Sequence, residues 1–136
     1  MDDLHDLRVF AIIAWIQLPT VMYGGYALLG MLNREDRMSP FQLSNFRAGH
    51  AHAGVLTLMS LLYNVFISQT HLSMTTKVVA SSVLLVAVLM QAGGFFVHMA
   101  RGKPGESSAG TKITAAGAVL LVAASLLLAY GLIFRW

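Results

Sequence analysis

The sequence predicts an all-α protein, an integral membrane four-helix bundle in which residues 1–136 form a single domain. The first observation is composition: 57% of the residues are hydrophobic and 11% are charged, whereas a soluble domain carries about 25% charged residues. The second is that four apolar runs are each long enough to cross a hydrocarbon core, which takes roughly 20 residues of helix. The third is that all six acidic residues lie at the N-terminus or in two connections between these runs. Hydrocarbon offers backbone groups no hydrogen-bonding partner, so each run is expected to be a helix.

The four helices follow one another with short connections. Pro19 lies inside the first apolar run and is expected to kink that helix. Ser39 followed by Pro40 is typical of an N-cap with proline at the first helical position, so the second helix should begin before its apolar part. The glycines and proline of residues 102–105 separate the third helix from the fourth. The expected spans are 9–32, 46–67, 78–100 and 113–134.

The distribution of Lys and Arg predicts the orientation of these spans. Three basic residues lie on the side of both termini, and six lie on the side of connections 33–42 and 101–112. The positive-inside rule places these two connections in the cytoplasm and both termini outside, in a bacterial-type inner membrane. Basic residues spread in this way indicate orientation signals, and no nucleic-acid partner is expected. The three are Arg8, Lys77 and Arg135, and the six are Arg34, Arg37, Arg47, Arg101, Lys103 and Lys112.

Polar residues inside the spans are the candidates for chemistry, since they are costly in a bilayer. The second helix enters from the cytoplasm and the first and third end there, so their polar residues meet in one layer. The spans contain no carboxylate and the chain contains no cysteine. A buried metal would therefore be held by imidazole, which leaves haem or copper. The layer collects Tyr23, Tyr26, His50, His52, Gln91 and His98.

The histidines differ in where they point. His50 and His52 are two residues apart, or about 200° around a helix, so both cannot ligate one metal within one protomer. Small residues near them, among them Gly54, and on the third helix, among them Gly94, would let a flat macrocycle approach the backbone. The same glycines are also typical of helix-packing surfaces. His98, near the end of its helix, also fits an interfacial histidine.

The run Arg47-Ala-Gly-His-Ala-His-Ala-Gly54 resembles the histidine segment of styrene oxide isomerases, which are small four-helix membrane haem proteins. It also resembles the His-Ala-His motif of single-domain relatives of haem-copper oxidase subunit I. In the isomerase alignment His52 matches the axial ligand of haem b, Gly54 matches a small residue after it, and Gly94-Phe95 matches a Gly-Phe pair. The resemblance implies a trimer that holds haem b between subunits. It also implies ferric iron that acts as a Lewis acid, rearranging a small apolar epoxide to an aldehyde.

The sequence departs from the isomerase pattern at two positions. Phe96 stands where the isomerases have a tyrosine, and Leu58 or a neighbour stands where they have an asparagine. Tyr23, Tyr26 and Asn64 are the candidates to replace these two residues. Tyr26 and Gln91 are the expected catalytic groups near the substrate.

Two other functions fit the same residues. Ligation of haem by His52 together with His98 or His50 would close the iron to substrate, which is typical of an electron-transfer or gas-sensing protein. A membrane subunit without a cofactor, assembled through its glycine faces, is the other alternative.

Overall fold

The computed structural model describes residues 3–32 and 38–134, and within them the chain forms four helices. They are α1 (Asp3–Leu32), α2 (Pro40–Ser68), α3 (Met74–Arg101) and α4 (Ala109–Ile133). Each contains a segment long and apolar enough to cross a membrane. The predicted fold class, an all-α membrane four-helix bundle, is confirmed for this part of the chain. Arg34, Arg37 and Arg135, which contribute to the predicted orientation, lie outside the described residues.

The start of α2 shows why this helix extends beyond its apolar part. The Ser39 hydroxyl accepts a hydrogen bond from the Gln42 backbone N–H at 3.3 Å, and the Gln42 side chain accepts one from the Ser39 N–H at 3.0 Å. This reciprocal capping box satisfies two backbone donors that the first turn leaves unpaired. Pro40 follows at the first helical position. The predicted N-cap is therefore confirmed.

Helices α2 and α3 form the central pair of the bundle. Helix α4 packs most extensively against α3 and more lightly against α2, whereas α1 packs mainly against α2 and touches α3. Within the described residues α1 and α4 do not contact each other. The two outer helices therefore lie on opposite sides of the α2–α3 pair.

Small residues let α3 and α4 approach closely. A Cβ atom added to Gly94 would lie 2.7 Å from the Gly110 carbonyl oxygen and would also meet the Thr114 hydroxyl. A Cβ atom added to Gly117 would lie 2.6 Å from the backbone nitrogen of Gln91. Close backbone approach through small residues is a common way for apolar helices to associate in lipid.

Buried hydrogen bonds tie the central pair together and join it to α4. Ser81 donates to the Asn64 side-chain oxygen at 2.7 Å, and the Asn64 amide donates to the Ser60 carbonyl at 2.8 Å. The Tyr63 hydroxyl donates to the Ala124 carbonyl of α4 at 3.0 Å. These bonds fix the register of α2 against both neighbours at the end of the bundle farther from His52.

Candidate functional site

The His52 ring is held by its own helix. Its Nδ1 lies 2.8 Å from the Ala48 carbonyl oxygen. A carbonyl oxygen only accepts, so Nδ1 carries the proton and the lone pair of the neutral ring lies on Nε2. No described residue forms a hydrogen bond with Nε2. The half-buried ring packs against Phe95 of α3, with ring centroids 4.8 Å apart.

The surface of α2 beside His52 is small and faces outward. Ala48 is half-buried, Ala51 is exposed and Val55 is 65% exposed. A planar group bound at His52 would therefore lie along the outer side of α2, where lipid or a second protein can cover it.

His50 occupies the opposite side of α2. Its ring lies against the α1 glycine pair: a Cβ atom added to Gly24 would lie 3.2 Å from Nδ1, and one added to Gly25 would lie 3.2 Å from Nε2. The Phe46 ring stacks on it with centroids 6.3 Å apart. His50 contacts α1 and His52 contacts α3, so the predicted divergence of the two histidines is confirmed.

His98 lies at the connection between α3 and α4. Its Nδ1 is 2.8 Å from the Ser108 hydroxyl, and its ring meets Phe41 edge-on at 5.1 Å. Ser108 is the N-cap of α4 and also accepts from the Gly110 N–H at 3.0 Å. The structure thus gives His98 a part in joining two helices, while its role as an axial ligand stays a prediction.

The candidate glycines have different neighbours. Gly94 is buried in the α3–α4 contact, whereas a Cβ atom added to the adjacent Gly93 would meet nothing within 4 Å. A Cβ atom added to Gly54 would make ordinary contact with Val21 of α1 at 3.5 Å. The structure therefore assigns Gly94 and Gly54 to helix packing, and their contact with a cofactor stays a prediction.

The two candidate catalytic residues are not brought together within one protomer. Tyr26 is 74% exposed on α1. Gln91 lies on α3 where Gly117 of α4 approaches, and its side-chain Oε1 is buried without a hydrogen-bond partner among the described residues. Because α1 and α4 flank opposite sides of the central pair, any shared role would need a second protomer.

The two larger clefts between the described helices are both lined by residues of α1 and α2. One of about 540 Å³ lies between the start of α1 and the end of α2, with Arg8 and Trp15 in its lining. The other, of about 220 Å³, lies between α1, α2 and α3 and is lined by Gln17, Thr57 and Gly93 among others. Neither cleft is lined by His52.

Thr57 is a buried cleft residue that the sequence did not single out. It is 2% exposed, lines the smaller cleft, and its hydroxyl forms no hydrogen bond with any described residue. A threonine in a helix commonly bonds a carbonyl of its own preceding turn. A lone threonine in an apolar run therefore carries little signal, and only the three-dimensional structure distinguishes this one.

Among the described residues no group of three or more His, Cys, Asp or Glu could hold a metal ion. The chain matches no protein-family model, no curated protein and no solved structure. Its function is therefore inferred from the geometry of these residues and from the resemblance of residues 47–54.

Proposed function

We propose that this protein binds haem b in the membrane through His52 and acts as a styrene-oxide-isomerase-like enzyme on a small apolar epoxide. The observation that carries the proposal is the hydrogen bond from His52 Nδ1–H to the Ala48 carbonyl oxygen. Metal-binding histidines usually donate their second ring N–H in this way, which fixes the tautomer and strengthens the ligating nitrogen. His52 Nε2 is then available as an axial ligand.

The residues around His52 fit a porphyrin better than a bare metal ion. One imidazole is enough for an axial ligand of haem, because the macrocycle supplies the other four nitrogens. Ala51 and Val55 leave the outer side of α2 beside His52 uncovered by the protomer's own chain. A cofactor there would be enclosed by a neighbouring subunit, which supports a homo-oligomer, and the family resemblance specifies a trimer.

The other two histidines of the layer are held elsewhere, so His52 would be the one protein ligand of a bound haem. His50 packs against α1 on the far side of α2, and His98 Nδ1 bonds to Ser108. Neither is paired with His52 in the protomer, which favours one axial histidine over the bis-histidine alternative. When bound, ferric haem with an open position supplies a Lewis acid for the epoxide oxygen.

The remaining roles belong to the chain itself. Phe95 packs on the His52 ring and, with the Ala48 carbonyl, holds its orientation. Gln91, one helical turn from Phe95 on the same face, offers a buried and unpartnered Oε1 that would accept a hydrogen bond. Tyr26, exposed on α1, would serve the site of a neighbouring subunit.

The haem content of purified variants tests the proposal. His52→Ala should lose haem, because no other imidazole takes its place, whereas His71→Ala, in an exposed position of the α2–α3 connection, should retain it. Conversion of styrene oxide to phenylacetaldehyde by the haem-loaded protein tests the enzymatic part. Full haem content in the His52→Ala protein would refute the ligand assignment.

The orientation is part of the proposal. The protein spans an inner membrane of bacterial type. Connections 33–42 and 101–112 lie on its cytoplasmic side, and both termini lie on the outer side. The larger number of Lys and Arg residues on the side of these connections supports this orientation.

A further inference from the structure

We propose that the cleft between α1, α2 and α3 is a second site, one that binds a small uncharged molecule carrying a hydrogen-bonding oxygen on an apolar body. A single-ring aromatic alcohol is the type of ligand that fits it. The proposal does not depend on haem, because the cleft is lined by other residues than His52.

The cleft has the size and the lining of a small-molecule site. Its volume is about 220 Å³, and its apolar lining includes Val88, Ala92 and Phe96 of α3. Pockets for drug-sized ligands measure roughly 300–1,000 Å³, so the occupant is smaller than these. Gly93 forms part of the wall and leaves open space where a side chain would stand.

Two polar side chains in this lining lack partners. The Thr57 hydroxyl, on a residue only 2% exposed, forms no hydrogen bond with a described residue, and neither does the Gln17 side-chain amide. The Thr57 hydroxyl has no partner in the described residues, so a ligand oxygen in the cleft could accept its hydrogen and pair with the Gln17 side-chain amide.

The remaining polar group of the lining points to the same class of ligand. Thr20 already donates its hydroxyl hydrogen to the Gln17 carbonyl oxygen at 2.6 Å, so it offers only an acceptor. None of the described Lys, Arg, His, Asp or Glu residues lines the cleft. An ionic ligand would therefore lose its hydration without a countercharge, and a neutral one is favoured.

The cleft and His52 lie on different sides of α2. Thr57 follows His52 by five residues, which places the two side chains about 140° apart around the helix. Occupancy of the cleft therefore should not need haem, and failure of one site leaves the other testable.

Fluorine NMR of the full-length protein in detergent tests the site with two matched probes. 4-Fluorobenzyl alcohol should bind saturably, whereas 4-fluorotoluene, which lacks the hydroxyl, should only partition into micelles. Thr57→Val should weaken binding of the alcohol about fivefold, the loss expected for one neutral hydrogen bond. His52→Ala should bind it like the unmodified protein.

Filling the cleft provides the second variant. Gly93→Leu should abolish saturable binding, whereas Gly30→Leu should not, because Gly30 also faces open space but lies near the end of α1 outside the lining. Thermal melts of all variants identify any that fail to fold, in which case Thr57→Val decides. The proposal would be overturned if the alcohol does not bind saturably, or if Thr57→Val and Gly93→Leu both bind it as tightly as the unmodified protein does. A lipid or detergent chain would then be the occupant of the cleft.

Discussion

Each histidine of the membrane layer is held by a different partner, and the partner determines what its ring can do. His52 donates to a carbonyl of its own helix, His50 rests against two glycines, and His98 bonds to the N-cap of α4. Only the first arrangement fixes a tautomer through a backbone acceptor while leaving the other nitrogen without a described partner. Among the three histidines, the local hydrogen bonding therefore supports His52 as the proposed haem ligand.

The adjacent glycines of α3 give a matched pair of substitutions. Gly94→Ala should destabilise the protein by about 1–3 kcal/mol, because the added Cβ meets Gly110 and Thr114. Gly93→Ala should be neutral or stabilise it by up to about 1 kcal/mol, because the space is open and alanine favours helix. Thermal unfolding in detergent, followed by circular dichroism, measures both. Equal shifts in the same direction would contradict the α3–α4 contact.

The sequence could not distinguish these two glycines. A Gly-Gly pair indicates a helix surface where something approaches closely, but the choice between the two depends on which face meets α4. That face is set by the rotation of α3 about its axis, which follows from packing along its whole length. For the same reason the sequence could not show that the Thr57 hydroxyl has no hydrogen-bond partner among the described residues.

At the scale of the helices, a few directional bonds supplement close packing. Apolar faces contribute little specificity in lipid, because the surrounding chains are equally apolar. Tyr63 spans from α2 to the Ala124 carbonyl of α4, and Ser81 spans from α3 to Asn64 of α2. These two bonds define how α2 sits between its neighbours.

Removal of the Tyr63 hydroxyl tests the link between α2 and α4. Tyr63→Phe should lower the free energy of unfolding by about 0.6 kcal/mol, the average for hydrogen bonds between membrane helices, and by no more than about 1.7 kcal/mol. Tyr130→Phe is the control, since Tyr130 is 54% exposed and no described residue bonds to its hydroxyl. Chemical unfolding in mixed micelles measures the difference. A Tyr63→Phe protein as stable as the control would show that this bond contributes nothing.

The helices themselves could be predicted because the bilayer leaves few alternatives. Four apolar runs had to form helices, and Ser39-Pro40 marked the start of α2. The depth of the polar layer could also be predicted from direction and rise, since His50 meets Gly24 and His52 meets Phe95. The unpartnered Oε1 of Gln91 could not, because it depends on how closely α4 packs.

Helix α1 carries large aromatic side chains that the rest of the protomer leaves exposed. Trp15, Tyr23 and Tyr26 are 64%, 71% and 74% exposed. Aromatic side chains with a polar tip are common at subunit contacts and at the membrane interface. A trimer in which α1 faces the neighbouring subunit would use this surface and complete a site at His52.

Native mass spectrometry of the protein in detergent tests the assembly. We expect a trimer with haem retained, and we expect Tyr26→Ala to reduce epoxide turnover more than haem content. The matched control is Met22→Ala, which alters a residue 73% exposed on the same helix without removing a hydroxyl. A monomer that retains haem would contradict assembly around the cofactor.

The absence of cysteine from the sequence allows the orientation to be mapped with single cysteines. In intact cells a membrane-impermeant maleimide should label Gln69→Cys, between α2 and α3, but not Lys103→Cys, between α3 and α4. Both residues are exposed in their connections, and both should react after the cells are opened. The reverse pattern would invert the proposed topology.

The most direct test of the central claim is the absorption spectrum of the purified protein, oxidised and then reduced with dithionite. We predict a Soret band that shifts on reduction, has the features of five-coordinate high-spin haem, and is lost in His52→Ala. A six-coordinate low-spin spectrum would contradict the proposed enzyme and favour the alternative, an electron-transfer or gas-sensing protein with two axial histidines. A featureless spectrum that stays unchanged after haem is added would contradict haem binding altogether.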